Sequence, residues 1–327
     1  MREVQRWNGI PPGVHPLDIV TAWLTCRQKL FSQGWGDEIL VRRLLQHTSF
    51  SEPLKPICVD WSVAEGQGSK IQRDGRFTSP LDLLPEGART VHIRAWSKTG
   101  NSAACVILAA SRDEGYKTRE NVFGSLVARG LDLYLLENPF YGLRRTSSSA
   151  SLATFSDHVL MNIGSVWETR ALLGYLRSFY ERLTVTGYSM GGHMAAITAA
   201  VSPFPVACAA LATGASAAPI YTNGLLSWSV NLDALVADRG AHLAARERLR
   251  FLIEAADVTR HAPPLRTDAA VLVGCMKDGY VLANEVERLH KHWSGSTLRW
   301  LPAGHVTGLV FFRAALRDAV ADATARL

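Results

Sequence analysis

The sequence predicts an α/β protein with a mainly parallel sheet and helices on both faces. Three observations carry that prediction. Apolar strand-like runs alternate with helical segments through most of the chain, as in sheets whose strands are joined by crossover helices. One run, Ala104–Ala110, is apolar without interruption, the pattern of a strand buried on both faces. Another, Leu183–Thr186, passes through Gly187-Tyr188-Ser189-Met190-Gly191 into a small-residue helix predicted over Gly192–Val201.

Composition sets the outer limits. The chain has 327 residues, 47 % of them hydrophobic, enough for a large core. No apolar run reaches the ~18 residues that a spanning helix needs. Met1–Gly13 lacks the apolar centre of a secretion signal, so an intracellular location, cytoplasmic or organellar, is expected. Five cysteines are an odd count. Cys105, Cys208 and Cys275 fall in apolar runs, which predicts buried thiols in a reducing compartment rather than a disulfide framework. No Cys or His spacing suggests zinc, and no cofactor is expected. The net charge of +6 is mild for this length and gathers in no aromatic-interleaved cluster. Nucleic acid is therefore not an expected partner. An anionic membrane surface stays open as one.

In chain order, residues 1–50 read as a helical arm. Leu17, Val20, Trp23, Leu24, Leu30 and Phe31 recur at near-helical spacing, Gly34-Trp35-Gly36 interrupts, and Asp37 caps a second helix. The arm is expected to pack on the main domain, with a membrane surface as the alternative. Residues 51–327 form that domain. Strands are predicted over Ile71–Thr78, Val91–Trp96, Ala104–Ala110 and Leu131–Leu136. A long helix, Asp157–Glu181, leads to the Leu183–Thr186 strand. Ser147–Ser151 reads as a loop. Beyond the strand Val206–Ala212, residues 214–265 break the rhythm and read as an inserted cap. Strand Ala270–Cys275, a helix over Leu282–Trp293, strand Leu298–Leu301 and a terminal helix after His305 complete the sheet.

The glycine-flanked turn carries chemistry. In G-x-S-x-G between strand and helix, the serine sits on a turn too sharp for side chains beside it, and its hydroxyl stands clear. The amide of Met190, first in the helix, is placed for a developing oxyanion. A serine hydroxyl needs a base, and the base needs an orienting acid. In this fold both follow the serine, acid first. Asp278 follows the strand ending at Cys275, and His305 follows the strand ending at Leu301. The rival acids Asp257 and Asp268 follow no predicted strand. Of the other histidines, His193 lies one turn into the elbow helix and reads as a packing contact. A second oxyanion amide is expected after Ala104–Ala110, from Ser111 first and Arg112 second. The Arg112 side chain is a candidate for an anionic head group. Phe140 and Tyr141 are expected to pack in the core, with contact to an acyl chain as the alternative.

Leu136-Glu137-Asn138-Pro139-Phe140-Tyr141-Gly142, Gly187–Ala195, Tyr221–Ser227 and Gly304-His305-Val306-Thr307 together resemble the α/β-hydrolase domain-containing protein 18 family, over residues 90–310. The resemblance implies an α/β-hydrolase fold with Ser189, Asp278 and His305 at the triad positions. It also implies a lipid-like acyl ester as substrate. Ala110-Ser111-Arg112-Asp113 departs from the glycine-containing loop expected of the fold. Three functions are thus open: an ester hydrolase acting through an acyl-enzyme, an acyltransferase with the same triad, and a catalytically silent binding protein.

Overall fold

A computed structural model of the chain describes residues 13–46, 48, 50–67, 70–146, 152–236 and 241–327. Residues 1–12 and the serine run at 147–151 lie outside the described residues. Ten strands form one sheet: β1 (Asp60–Trp61), β2 (Glu65–Gln67), β3 (Lys70–Thr78), β4 (Thr90–Ser97), β5 (Ala103–Leu108), β6 (Leu131–Leu136), β7 (Arg182–Tyr188), β8 (Ala207–Leu211), β9 (Ala270–Cys275) and β10 (Thr297–Leu301). The helices are α1 (Pro16–Thr25), α2 (Glu38–Gln46), α3 (Glu86–Arg89), α4 (Lys117–Phe123), α5 (Phe155–Leu176), α6 (Met190–Ala200), α7 (Ala218–Thr222), α8 (Leu232–Leu235), α9 (His242–Ile253), α10 (Ala283–His292), α11 (His305–Phe311) and α12 (Arg313–Ala325).

The sheet runs β1-β3-β4-β6-β5-β7-β8-β9-β10, with β2 paired to β3. From β6 to β10 every neighbour pair is parallel, while β3, β4 and β6 pair antiparallel. β5 lies between β6 and β7, so the chain changes direction around it. Sites in such sheets open beyond the carboxyl ends of the strands at that reversal. The uninterrupted apolar run of β5 has the predicted cause. Ala104, Val106 and Leu108 join a core layer with α5 and α6, while Cys105 and Ile107 join the opposite layer with α4 and α12. Cys105, Cys208 and Cys275 are buried free thiols.

Local structure refines several boundaries. Thr154 caps α5, its side chain accepting the Asp157 N–H at 3.1 Å, and the helix stops at Leu176 rather than Glu181. β7 continues through Tyr188, and α6 starts at Met190, so the turn between them is shorter than its glycines suggest. The terminal helix is two helices that meet at Phe312.

The amino-terminal residues and the 218–253 region pack on each other. Leu30, Phe31 and Val41 share a buried cluster with Phe155, Tyr221, Val230, Leu235, Leu249 and Ile253. Trp35 Nε1 donates to the Leu235 carbonyl at 2.9 Å. Asp37 Oδ1 accepts the Leu40 N–H at 2.9 Å and opens α2. Helix α1 departs from the expected polarity. Its apolar stripe, Leu17, Val20, Trp23 and Leu24, faces outward, and Asp18 and Ala22 face inward. The inner face instead presents the Asp18 carboxylate to three backbone amides. Among the described residues no helix is long and apolar enough to cross a membrane.

Candidate active site

Ser189 joins β7 to α6 at φ 57° and ψ −120°, a strained backbone for a residue with a Cβ. Its flanking glycines are forced by space. A Cβ on Gly187 would meet the Gly191 carbonyl carbon at 2.3 Å, and one on Gly191 would meet the Leu108 carbonyl oxygen at 2.5 Å. The turn is therefore wedged against the end of β5. Strain gathers along this rim. Arg112, Phe140, Ser189 and Ala212, which follow β5, β6, β7 and β8, all have positive φ.

Asp278 and His305 follow β9 and β10, as the spacing predicts, and meet. His305 Nδ1 lies 2.7 Å from Asp278 Oδ2. Oδ1 of Asp278 accepts the N–H groups of Tyr280 and Val281, each at 2.8 Å, which fixes the carboxylate plane. His305 is gripped elsewhere too. Its carbonyl accepts the Tyr188 hydroxyl at 2.6 Å, and its ring packs between Tyr188 and Tyr280, with centroids 5.2 Å and 5.0 Å away. Nδ1 is thus committed, and Nε2 has no hydrogen-bond partner among the described residues. Among the described residues no hydrogen bond joins the imidazole to Ser189 Oγ. Burial disfavours imidazolium, but the charge and hydrogen bond of Asp278, with Asp18 behind, outweigh it and raise the His305 pKa above its usual value.

Asp18 is the residue that sequence reasoning missed. It is wholly buried, and its carboxylate accepts three amides: Gly279 at 3.0 Å, His305 at 2.7 Å and Val306 at 2.9 Å. It therefore ties the acid loop to the histidine loop. No local pattern distinguishes it, because its partners lie 261, 287 and 288 residues away.

On the other side of Ser189, the amides of Met190 and Ser111 have no acceptor among the described residues. The Arg112 amide is engaged, donating to the Tyr141 hydroxyl at 3.1 Å. The guanidinium of Arg112 reaches back to the carbonyls of Thr25 at 3.4 Å and Gln28 at 3.0 Å. The side chain is thus turned toward the end of α1 and the turn after it. Tyr141 is buried beneath the loop, and Phe140 packs with Tyr141 and Leu152. Neither lines the cavity beside Ser189; both pack in the core instead.

The Glu137–Gly142 run instead supports the 110–115 loop. Both Glu137 carboxylate oxygens accept the Gly115 N–H at 3.1 Å, and Asn138 Nδ2 donates to the Ala109 carbonyl at 3.4 Å. Burial pushes the Glu137 and Asp113 carboxyls above the usual range, against the pull of Arg119. Arg119 Nε sits 3.0 Å from Asp113 Oδ2, an ion pair aligned too poorly to be a hydrogen bond. Behind them, Arg144 and Glu168 form a fully buried pair at 2.6 Å and 2.7 Å, and Arg144 also donates to the carbonyls of Ala88 and Glu137.

A narrow cavity of about 80 Å³ opens beside Ser189, Met190 and Ser111. Its walls include Phe155, Val159, Ile220, Tyr221, Leu226 and Ile253. His158 also lines it, among the rings of Phe31, Phe155 and Tyr221. Burial lowers the His158 pKa to about 4, so this wall is neutral at pH 7. His193 bridges α6 to the region above, its Nε2 2.9 Å from the Ala256 carbonyl. The rival acids are engaged elsewhere: Asp257 by Arg288 at 2.6 Å, Asp268 by Arg266 at 2.8 Å. Among the described residues no His, Cys, Asp and Glu side chains gather in a metal-holding group.

The strand order, the strained serine at the end of β7 and the helices on both faces define an α/β-hydrolase fold. Solved structures share it. The acetyl xylan esterase of Paenibacillus sp. R4 superposes with a TM-score of 0.56 at 13 % identity, covering 90 % of this chain and 98 % of that one. Acetyl xylan esterase 1 of Thermoanaerobacterium sp. JW/SL YS485 gives 0.54 at 15 %, covering 93 % and 99 %. An S-formylglutathione hydrolase of Agrobacterium tumefaciens gives 0.52 at 14 %, covering 82 % and 99 %. At such identities the likeness concerns the fold alone. The sequence itself matches the family described as alpha/beta hydrolase domain containing 18 over residues 28–243 and 238–326, and the chain belongs to that family.

Proposed function

We propose that this protein hydrolyses a carboxylic ester with an apolar acyl chain through a Ser189 acyl-enzyme. The observation that carries the reading is the Asp278–His305 pair, joined at 2.7 Å and held so that only Nε2 is left for a substrate-side proton. In this reading Ser189 Oγ attacks the ester carbonyl as its proton passes to Nε2. The Met190 and Ser111 amides receive the oxyanion, a role favoured by their lack of other acceptors. Imidazolium then returns the proton to the departing alkoxide. Water, deprotonated by His305, attacks the acyl-enzyme and releases the acid. The Ser189–Nε2 hydrogen bond closes in the substrate complex, as is common where unliganded geometry is loose. The acyl chain occupies the cavity beside Ser189, whose wall is apolar and, at His158, uncharged. Leu45 of α2 lines it from one side, and Ala217, Ile220, Tyr221, Leu226 and Ile253 of the segment after β8 line it from another.

An active-site phosphonate probe and a panel of acyl esters of graded length test this. Ser189→Ala is expected to lose labelling and at least about 10⁴-fold in kcat. Labelling of both proteins to equal extent, or turnover that survives the substitution, would remove the serine from the reaction. Ester turnover that diverts to added alcohols in preference to water would reassign the chemistry to acyl transfer.

A further inference from the structure

Helix α1 is inside out. Its inner face carries the Asp18 carboxylate, and its outer face carries Leu17, Val20, Trp23 and Leu24, which are 44, 50, 56 and 57 % exposed. Arg27 lies over the Trp23 ring, 5.3 Å from its centroid. Exposed Met276 and Lys277 lie against the start of the helix, where the Lys277 carbonyl accepts the His15 N–H at 2.9 Å. Single exposed apolar side chains are ordinary, but four on one short helix form a patch that water does not favour.

Two occupants compete for that patch: a second copy of the chain and a membrane. A ten-residue helix is about 15 Å long, so its outer face falls far short of the ~800 Å² per partner of a stable dimer. Two copies would also each bring a net charge of +6. A lipid surface suits both features. Short helices with aliphatic and tryptophan side chains on one face and basic groups at the edge lie flat in the interfacial layer.

We propose that α1 docks this protein on an anionic lipid membrane. Leu17, Val20, Trp23 and Leu24 enter the acyl boundary, and Arg27 and Lys277 meet lipid phosphates. The opposite face of the same helix binds the Gly279, His305 and Val306 amides through Asp18, so the docked surface adjoins the rim of the site. An apolar ester would then pass from bilayer to cavity without crossing bulk water. The docking itself does not depend on the ester-hydrolase reading, since binding is measured without turnover.

Sedimentation of the full chain with vesicles of phosphatidylcholine, with and without phosphatidylserine, tests it. Wild type should pellet with the anionic vesicles and be released as salt rises. The combined variant Leu17→Ser, Val20→Ser, Trp23→Ser and Leu24→Ser should lose at least about tenfold in vesicle affinity. Its circular dichroism and its turnover of a short water-soluble ester should match wild type, since these side chains point away from the site. Wild type that stays in the supernatant, or a variant that pellets equally, overturns the proposal. So does a wild-type dimer in solution that the variant splits, which would give the face to a second copy. Loss of binding on deleting residues 1–12 but not in the combined variant would move the surface to that segment and overturn it as well.

Discussion

The two sides of the Ser189 rim are held in different ways. On one side, the loop after β5 rests on buried groups of the sheet and its own crossovers. Arg144 pairs with Glu168 and donates to the Glu137 carbonyl, Arg119 donates to the Leu136 carbonyl and ion-pairs with Asp113, and Glu137 accepts the Gly115 amide. On the histidine side, the loops after β9 and β10 are clamped by a carboxylate from outside the sheet, Asp18 of α1. The first arrangement couples the rim to folding stability. The second couples it to the placement of one helix, and so to function with less cost to the fold.

Three substitutions can break or sharpen that contrast. Arg144→Met should act first on stability. It leaves Glu168 buried without its partner, which costs about 3–5 kcal/mol, read as a lowered midpoint in denaturant unfolding. Asp18→Asn should act first on catalysis, lowering kcat/KM about ten- to a hundredfold, as with other groups that orient a functional side chain. It also carries a sign. Asp18 helps raise the His305 pKa, and the base works when neutral, so the acid limb of kcat/KM lies above the ordinary value of 6.5 and shifts to lower pH in the variant. An unmoved limb would make Asp18 a packing residue only. If instead Asp18→Asn destabilises as much as Arg144→Met, the two sides are one unit and the contrast fails. Tyr141→Phe should have the smallest effect. It strands the Arg112 amide at a cost of about 1 kcal/mol, with a several-fold fall in kcat and little change in KM.

The same contrast explains what could be read from the chain. β5, β8 and β9 announce themselves because strands covered on both faces are apolar throughout. The Ser189 turn is legible because steric crowding leaves only glycine at 187 and 191. Asp278 and His305 follow from chain order, each just past a readable strand. Glu137–Gly142 was legible as a motif but not as a scaffold, because its partners at Ala109, Arg112 and Gly115 are chosen by sheet order, which brings β5 beside β6. The α1 stripe misled for a related reason. Helical periodicity shows that one face is apolar, not which way it turns, and a single buried carboxylate with three amide donors decided the matter.

The bond from Asp18 to the backbone at 305 and 306 spans nearly the entire polymer. A ribosome makes this carboxylate long before the loop whose amides donate to it. The anchored histidine therefore cannot exist on a nascent or carboxyl-truncated chain, however much of the sheet has formed. The clamp on the histidine loop closes only once residues 305 and 306 have been made.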